Sequence, residues 1–448
     1  MKAKAIAFIR AHKLSLFFLF SWLILLVLWL IPNWSEGPFY FVFISTIFLI
    51  IVGSQVFWVS LIGKVGRKLI SRKGWRAGLA LAGWLAYVFL LAFNLFSGIN
   101  RGSSWNLRAG LLEAPFDIWF VGSVVGFCLI MLLWSADRLA RLVIGAAKKV
   151  ASPSRSELLS PSRRHFLEQS AIALSAAPFV AGTYGLFYER LNLETTHQWI
   201  RLRRLPKAFE GFRIVQLSDL HISPFMSADE IRKYVEIANQ LRGDLVVVTG
   251  DFLTYDPATQ GAVVRAVSVL KAPFGVLGCL GNHEYMTGTE ESITHLLAKE
   301  KIRILREEHV AIESGGESLN IIGVDYEQAR FSTDHEGHLV DRYMERSEKL
   351  VMPGTVNILL NHNPNAFDRA AELGLDLMLT GHTHGGQLSL ELLHRGLCLS
   401  RFVTRYTSGW YEKSNSQLYV NRGIGTISPS IRLGARPEIT TFELTREG

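Results

Sequence analysis

The chain has 448 residues and a formal net charge of +8, and 49% of its residues are hydrophobic. Lys and Arg cluster in short segments between apolar runs, as in the segment 64–76. Such clusters are typical of topology signals in membrane proteins, so we expect no nucleic-acid partner. The composition divides the chain into an apolar first part and a second part with the ordinary residue mixture of a globular domain.

The first part contains apolar runs of about 20 residues, which is the length that a helix needs to span a bilayer. Their limits are Leu14–Ile31, Phe39–Ile62, Ala77–Phe96 and Phe116–Trp134. Tryptophan and tyrosine gather near the ends of these runs, as interfacial anchors do. We therefore predict a four-span transmembrane region over residues 1–150 that anchors the protein in a lipid bilayer.

A weaker apolar run, from Ala171 to Phe187, follows within a basic linker that we assign to residues 151–195. The segment Ser162–Leu167, with the sequence SRRHFL, lies just before it and resembles the twin-arginine export signal. The alternative is a pair of arginines that marks a cytoplasmic helix end. The first interpretation predicts that the twin-arginine export machinery is a partner and that the run is an uncleaved fifth span.

The charges of the loops predict the orientation in the membrane. The N-terminus, the loop after the second run and the segment after the fourth run are rich in Lys and Arg, whereas the loop after the third run has only Arg101 and Arg108. The positive-inside rule places the basic segments in the cytoplasm. Five crossings then place everything after Phe187 on the periplasmic or outer face of a bacterial cytoplasmic membrane. Without the fifth crossing, the second part stays in the cytoplasm.

From about Arg213 onward, short buried strands alternate with helices, a pattern typical of an α/β layered domain. Strands are predicted at 213–218, 244–249, 275–280, 319–324, 356–360 and 375–380, and helices at 227–240, 257–271 and 289–299. Ser227 and Glu230 predict a capping box at the start of the first helix. The polar segment from Tyr326 to Lys349 is predicted to be an insertion or a loop over the site.

Short polar motifs follow directly after these strands. They are Asp219-Leu220-His221, Gly250-Asp251, Gly281-Asn282-His283-Glu284, Asn361-His362 and Gly381-His382-Thr383-His384. Because ligands bind at the carboxyl ends of strands in α/β sheets, we expect the motifs to converge. Carboxylate, imidazole and amide ligands together favour Mn, Fe or Zn over calcium, and one carboxylate can bridge two ions about 3.5–4 Å apart. Each residue alone is more typical of a core, cap or turn position; the series favours a metal site.

The ordered series D-x-H, G-D, G-N-H-E, H and G-H-x-H resembles that of the calcineurin-like metallophosphoesterase superfamily over about residues 211–444. The segments 421–425 and 436–439 are similar to its membrane-associated bacterial branch, which includes the YkuE and YaeI phosphoesterases. The resemblance implies an αββα sandwich of two mixed sheets, assigned here to residues 196–448. It also implies hydrolysis of a phosphomonoester or a phosphodiester.

The resemblance further implies two divalent or transition metal ions (Mn, Fe or Zn), with Asp251 as the bridge between them. The ligands of the first ion would be Asp219, His221 and His384. The ligands of the second ion would be Asn282, His362 and His382.

Three further residues receive roles from the resemblance or from their position. His283 would lie beside the substrate phosphate and stabilise the transition state or protonate the leaving oxygen. Glu284 would orient His283 through a hydrogen bond, although many members of the superfamily have Asp there. Arg422 would contact a substrate phosphate or form a structural ion pair.

An anchored catalytic domain outside the membrane suggests a phosphoester substrate of the envelope, such as a lipid head group. One alternative is a cytoplasm-facing hydrolase of a nucleotide-linked lipid precursor. Another is a catalytically inert membrane receptor or scaffold, which predicts substituted ligand positions, and none of the seven is substituted. Cys279 and Cys398 are expected to be core residues rather than a disulfide.

Overall fold

A computed structural model describes residues 38–69, 102–150, 161–326, 347–389, 398–402 and 404–446, together with the single positions 74, 75, 78 and 85. The chain divides into two compact units: residues 1–93 and 115–183 form the first, and residues 94–114 and 184–448 form the second. The predicted spans Leu14–Ile31 and Ala77–Phe96, the latter apart from positions 78 and 85, lie outside the described residues, as does most of the segment Tyr326–Lys349.

The described residues of the apolar first part are helical except at positions 102–106. Its helices are α1 (Pro38–Leu69), α2 (Ala114–Val150), which a π-helical turn at Ala109–Glu113 precedes, and α3 (Pro161–Phe187). Among the described residues, two segments are long and apolar enough to cross a membrane, Ser45–Gly63 and Ala109–Ala140. They overlap the second and fourth predicted spans, Phe39–Ile62 and Phe116–Trp134. The predicted fifth span lies in α3, which is less apolar than α1 and α2.

Within the first unit, polar side chains on α1 and α2 pair with each other. Gln55 Nε2 donates to Ser123 Oγ at 2.9 Å, and Trp119 Nε1 donates to Gln55 Oε1 at 2.9 Å. The ring of Phe179 in α3 packs edge-on against that of Trp58, with centroids 5.4 Å apart. Hydrogen bonds between helices in an apolar setting satisfy groups that would otherwise stay unpaired, so this network links α1 to α2.

The described strands of the second unit form two six-stranded sheets. In chain order they are β1 (Glu194–Leu202), β2 (Arg213–Leu217), β3 (Leu245–Thr249), β4 (Val276–Cys279), β5 (Ile302–Ile304), β6 (Glu308–Ser314), β7 (Glu317–Gly323), β8 (Val356–Leu360), β9 (Leu377–Thr380), β10 (Gly409–Lys413), β11 (Ser416–Val420) and β12 (Glu438–Arg446). The first sheet has the order β1-β12-β2-β3-β4-β5, and the second has the order β10-β11-β9-β8-β7-β6. Both are mixed, because β12 runs antiparallel to β2, and β10 and β6 run antiparallel to their neighbours.

The helices of the second unit connect these strands. They are α4 (Ala228–Gln240), α5 (Gln260–Val267), α6 (Asn282–Thr287), α7 (Glu290–Lys299) and α8 (Phe367–Glu372). The predicted capping box is confirmed: the Ser227 side chain accepts the Glu230 N–H, and the Glu230 carboxylate accepts the Ser227 N–H at 2.8 Å. The predicted helix over 257–271 is shorter, because a 3-10 turn at Pro257–Thr259 precedes α5.

The core has the layers of an αββα sandwich, as the family resemblance implies. One buried apolar cluster combines residues of both sheets, such as Val247 and Phe442 from the first and Ile358 and Leu379 from the second. A second cluster packs helices α4, α5 and α7 on the outer face of the first sheet, and a third packs α8 on the second sheet. Among the described residues, Cys128, Cys279 and Cys398 form no disulfide, and Cys279 and Cys398 are buried. The strand β3, with the sequence LVVVT, is buried on both faces, as parallel strands between layers are.

Candidate metal centre

The predicted motifs lie at the carboxyl ends of adjacent parallel strands. In the first sheet, the loops that carry Asp219, Asp251 and Asn282 follow β2, β3 and β4, which lie side by side. In the second sheet, His362 follows β8, and the segment 382–384 follows its neighbour β9. Because the carboxyl ends of parallel strands share one edge of a sheet, the packing of the two sheets brings the motifs together.

Asp219, His221 and His384 form one buried group whose ligand atoms lie within 4.8 Å of one another. His384 Nε2 lies 3.0 Å from His221 Nε2 and 3.4 Å from Asp219 Oδ1. Two imidazoles and a carboxylate that face one another this closely offer the ligand types that borderline divalent cations prefer. The structure thus brings together the three residues predicted for the first ion.

Asp251, His362 and His382 form a second group of the same kind. His362 Nε2 lies 3.1 Å from Asp251 Oδ2, and the same oxygen lies 3.3 Å from His221 Nε2. Asp251 therefore faces a histidine of each group, which is the position that a bridging carboxylate requires.

One ligand atom predicted for the second ion lacks a hydrogen bond. Asn282 Oδ1 is buried and has no hydrogen-bond partner among the residues that the structure describes. Leaving a buried polar atom unpaired costs about 1–3 kcal/mol, so such atoms are rare in folded proteins. An unpaired amide oxygen beside clustered carboxylates and imidazoles fits a divalent metal ion.

Backbone carbonyls fix which nitrogen of each imidazole faces the centre. His221 Nδ1 donates to the carbonyl oxygen of Leu253 at 3.0 Å, and His362 Nδ1 donates to that of Thr249 at 2.7 Å. A carbonyl oxygen can only accept, so both rings carry a proton on Nδ1. Their Nε2 atoms then face Asp251, in the arrangement typical of metal-binding histidines.

The backbone of the ligand loops is held in an uncommon conformation. Asp219, His221, Asp251, His382 and His384 have φ values of 51°, 47°, 55°, 75° and 52°, which lie in the left-handed region. Non-glycine residues seldom adopt this region, and they persist there only where the surrounding structure holds them. Hydrogen bonds supply part of that support, since the His382 N–H donates to Asp219 Oδ1 at 3.0 Å.

Two glycines allow the loops to approach the carboxylates closely. A Cβ atom added to Gly281 would lie 2.1 Å from Asp251 Oδ1, and one added to Gly381 would lie 2.1 Å from Asp219 Oδ2. Both distances are far below any contact that carbon and oxygen tolerate. These positions therefore require glycine if the carboxylates are to keep their places.

Burial keeps most of the clustered imidazoles neutral. It lowers the pKa of His382 to about 3, lowers the pKa of His221, and holds the pKa of His384 well below its ordinary value. Histidine binds metal ions in its neutral form. These three side chains are thus in the protonation state that a ligand requires.

The environment of Asp251 favours positive charge. Burial alone would raise the pKa of Asp251, but His362, His283 and His221 hold it well below its ordinary value. Burial alone would lower the pKa of His362, but Asp251 and Asp219 raise it to about 10. The carboxylates thus stabilise a cation between them, as a metal centre does.

His283 belongs to a third group, with His221 and Asp251. Its ring lies 5.2 Å from that of Tyr255, between centroids, and its Nδ1 donates to the carbonyl oxygen of Thr254. The prediction that Glu284 orients His283 through a hydrogen bond is wrong. A backbone carbonyl, rather than the following carboxylate, orients the imidazole.

Glu284 instead holds the backbone of two ligand loops. Its fully buried carboxylate accepts the N–H groups of Asp251 at 3.0 Å, Leu253 at 3.0 Å and Gly281 at 2.9 Å. These bonds tie the loop after β3 to the loop after β4. The residue supports the site through the Asp251 loop and not through His283.

Of the two roles predicted for Arg422, the structure contains the ion pair. Its guanidinium donates to Glu194 at 2.7 Å and to Glu438 at 3.1 Å. A residue that sequence reasoning missed, Arg432, lies closer to the site. It is fully buried, donates to the carbonyl oxygen of Gly425 at 3.0 Å through Nε, and places Nη2 3.3 Å from His384 Nδ1. No motif signals a buried arginine of this kind.

The sequence matches the family model described as calcineurin-like phosphoesterase over residues 212–386. The chain is 32% identical to the metallophosphoesterase YkuE of Bacillus subtilis over 289 residues, which cover 63% of this chain and 97% of the relative. It is 27% identical to the phosphodiesterase YaeI of Escherichia coli, over 63% of this chain and 99% of the relative. A zebrafish (Danio rerio) transmembrane protein with a metallophosphoesterase domain is 28% identical, over 66% of this chain and 67% of the relative.

The chain belongs to the calcineurin-like metallophosphoesterase family. It is a hydrolase of that family, whose members use divalent metal ions. The apolar helices and the relatives named as transmembrane proteins agree with membrane association.

Proposed function

We propose that the protein is a membrane-anchored phosphoesterase that uses two metal ions to hydrolyse a phosphomonoester or a phosphodiester. The observation that carries this proposal is the convergence of the predicted ligands. Asp251 faces His221 at 3.3 Å on one side and His362 at 3.1 Å on the other.

The first ion would be held by Asp219, His221 and His384, and Asp251 would be shared with the second ion. The second ion would be held by Asn282, His362 and His382. When bound, such ions lower the pKa of water and neutralise charge on a phosphoryl group. The metals are expected to be Mn, Fe or Zn, because the donors are imidazole, carboxylate and amide oxygen.

His283 would act on the substrate and not on the metal. Its Nδ1 is held by the Thr254 carbonyl, so a protonated ring has only Nε2 free to donate. Donation from Nε2 to a phosphoryl oxygen or to the leaving oxygen stabilises the charge that develops as the ester bond breaks. Glu284 would contribute by holding the Asp251 loop.

The proposed location is the cytoplasmic membrane of a bacterium, in several spans, with the catalytic unit on the periplasmic face and an envelope or lipid-related phosphoester as substrate. Support comes from the segment between the third and fourth predicted spans. Gly102 N–H donates to Asp256 Oδ2 at 3.1 Å, and the Ser103 carbonyl accepts the Ala228 N–H at 3.3 Å. These contacts support a topology in which that loop and the catalytic unit share one side of the membrane.

The same contacts bear on the fifth span. If Ala109–Ala140 crosses the bilayer, the chain must cross back before it reaches β1, and α3 is the helix available. A cytoplasmic catalytic unit with four crossings would separate Ser103 from Ala228, so the contact disfavours a cytoplasm-facing hydrolase. Reporter fusions after Leu193 and at Gly448 should both report the periplasm; a cytoplasmic signal would contradict this topology.

The enzymatic proposal is tested with the purified full-length protein and a panel of soluble phosphomonoesters and phosphodiesters. We expect hydrolysis that is lost on chelation and restored by Mn or Zn. The variant Asp251→Asn should lose both ions and activity, whereas the control Asp229→Asn, at the exposed start of α4, should behave as the wild type. A folded protein that takes up no transition metal would refute the proposal.

A further inference from the structure

Exposed apolar side chains gather on one part of the second unit. We call this set the apolar collar; its members are Trp105, Leu107, Leu111, Tyr184, Phe187 and Tyr188. Leu107 is 77% exposed and Leu111 is 63% exposed. The rings of Trp105 and Phe187 lie 6.3 Å apart, and those of Tyr184 and Tyr188 lie 5.2 Å apart. Adjacent exposed apolar groups of this kind indicate an interaction surface, whereas isolated ones do not.

The position of the collar in the chain identifies what covers it. The apolar segment Ala109–Ala140 begins between Leu107 and Leu111, and Phe187 is the last residue of α3. Aromatic side chains at the ends of membrane-crossing segments lie at the level of the lipid head groups. A lipid bilayer is therefore the partner that fits this surface.

The residues just before this segment contact the loops of the catalytic site. The ring of Trp105 packs edge-on against that of Phe225, at 5.4 Å, on the loop that follows His221. Gly102 N–H donates to Asp256 Oδ2 at 3.1 Å. Asp256 lies two residues after Thr254, whose carbonyl oxygen orients His283. Gly102, three residues before Trp105 of the collar, and His283 thus bond to the two ends of the three-residue segment 254–256.

We propose that the apolar collar seats the rim of the metal centre in the bilayer surface, and that the substrate is a phosphoester of a lipid that stays in the bilayer. This inference rests on the proposed phosphoesterase function. In the reaction, water forms a bond to phosphorus, the bond between phosphorus and the lipid or head-group oxygen breaks, and that oxygen takes up a proton. Because Trp105 packs on Phe225, in the loop that follows the proposed ligand His221, the head group would reach the site while the acyl chains stay in the bilayer.

The depth of the collar in the bilayer is tested by fluorescence quenching, which does not depend on catalytic activity. Leu107→Cys and Trp199→Cys are prepared in a Cys128→Ser background, because Cys279 and Cys398 are buried. Trp199, on β1, is 67% exposed and lies outside the collar. In nanodiscs that contain doxyl-labelled lipid, a fluorophore at Leu107→Cys should be quenched at least twofold, and one at Trp199→Cys should not. Equal quenching at both positions, or none at Leu107→Cys, overturns the proposed seating.

The substrate class is tested by a ratio of activities. The full-length protein in nanodiscs is given phosphatidic acid and phosphatidylglycerol in the bilayer, or bis-p-nitrophenyl phosphate in solution. Leu107→Asp should lower the ratio of lipid to soluble-ester turnover at least tenfold, and the matched control Trp199→Asp should leave it unchanged. An unchanged ratio in Leu107→Asp would contradict the inference.

The wild-type result separates this inference from the proposed function. Hydrolysis of the soluble ester without hydrolysis of either lipid would leave the phosphoesterase proposal intact and overturn the lipid substrate. Absence of hydrolysis of all three esters by the metal-loaded protein would overturn both.

Discussion

The carboxylate of Glu284 accepts the backbone N–H of Asp251 at 3.0 Å, although Glu284 follows directly after His283 in the chain. It also accepts the N–H groups of Leu253 and Gly281, so one side chain fixes the loops after two neighbouring strands. The expected partner, His283, turns instead to the carbonyl of Thr254. The position of the central carboxylate of the site therefore depends on a second carboxylate that binds no metal in our proposal.

Replacing Glu284 with Gln should weaken metal binding. The amide nitrogen of Gln cannot accept the N–H groups that a carboxylate oxygen of Glu284 accepts, and the Asp251 loop would move. Loss of such supporting contacts typically lowers metal affinity by about 10–100-fold. Metal titration of Glu284→Gln measures this effect, with the exposed Glu236→Gln as control. Unchanged affinity together with an altered pH profile of turnover would instead support the original contact with His283.

Replacing His283 with Ala should separate catalysis from metal binding. If the imidazole acts on the substrate, turnover should fall by about 10²–10⁴-fold, the range of a general acid or base. The metal content should stay as in the wild type. Elemental analysis and steady-state kinetics check both quantities, and His309→Ala, at an exposed position, is the control. Since His283 also groups with His221 and Asp251, a loss of metal in this variant would make it a ligand.

Replacing Gly281 with Ala should displace Asp251. The new methyl group would overlap Asp251 Oδ1, which lies 2.1 Å from the Cβ position. We expect metal affinity to fall more than tenfold and stability to fall by about 1–3 kcal/mol, the usual effect of overpacking. Calorimetric metal titration and thermal unfolding report the two changes. At Gly261 in α5 the added Cβ meets only the far end of the Arg265 side chain, so Gly261→Ala should bind metal normally.

Replacing Glu438 with Gln should make the fold less sensitive to acid. Burial alone would raise the pKa of Glu438, but Arg422 and the hydroxyl of Tyr419 hold it below its ordinary value. A lowered pKa means that the carboxylate stabilises the fold at neutral pH. That contribution is lost as the pH falls from about 4.3, the value in unfolded chains, through the lower folded value.

At pH 7 the Glu438→Gln variant should be less stable by about 2 kcal/mol, since a charged hydrogen-bond acceptor is removed from a buried site. Thermal unfolding between pH 7 and pH 3 checks both parts of this prediction. Glu194→Gln is the matched control, because Glu194 also pairs with Arg422 but is more exposed. Parallel stability curves of the wild type and the Glu438→Gln variant below pH 5 would count against the lowered pKa.

The sequence predicts those strands that consist of a short run of apolar residues. The strands β3 and β8, with the sequences LVVVT and VNILL, are buried on both faces and are predicted to within one residue. The strand β1 is not predicted, because its exposed and part-buried residues alternate and its sequence, ETTHQWIRL, is largely polar. It exists because it pairs along its whole length with β12, more than 200 residues away. Sequence patterns contain no sign of such a partner.

The site likewise has features that the sequence predicts and features that it does not. The residue types and the order of the motifs suffice to predict which side chains meet, since each follows a strand of a parallel sheet. The contact of Glu284 and the burial of Arg432 could not be predicted. Both depend on which backbone N–H and carbonyl groups the loops leave unpaired, and that is decided only when the two sheets pack.

The strand β12 lies between β1 and β2 in the first sheet, although it is the last of the described strands to be synthesised. Ribosomal synthesis therefore delivers β1 and β2 early, with a gap between them that stays open until residue 446 has emerged. Until then Arg422 also lacks Glu438, and the metal-binding loops lack a finished sheet behind them. The first sheet is thus expected to be completed only after β12 has been synthesised, and truncations within β12 should yield proteolytically sensitive protein.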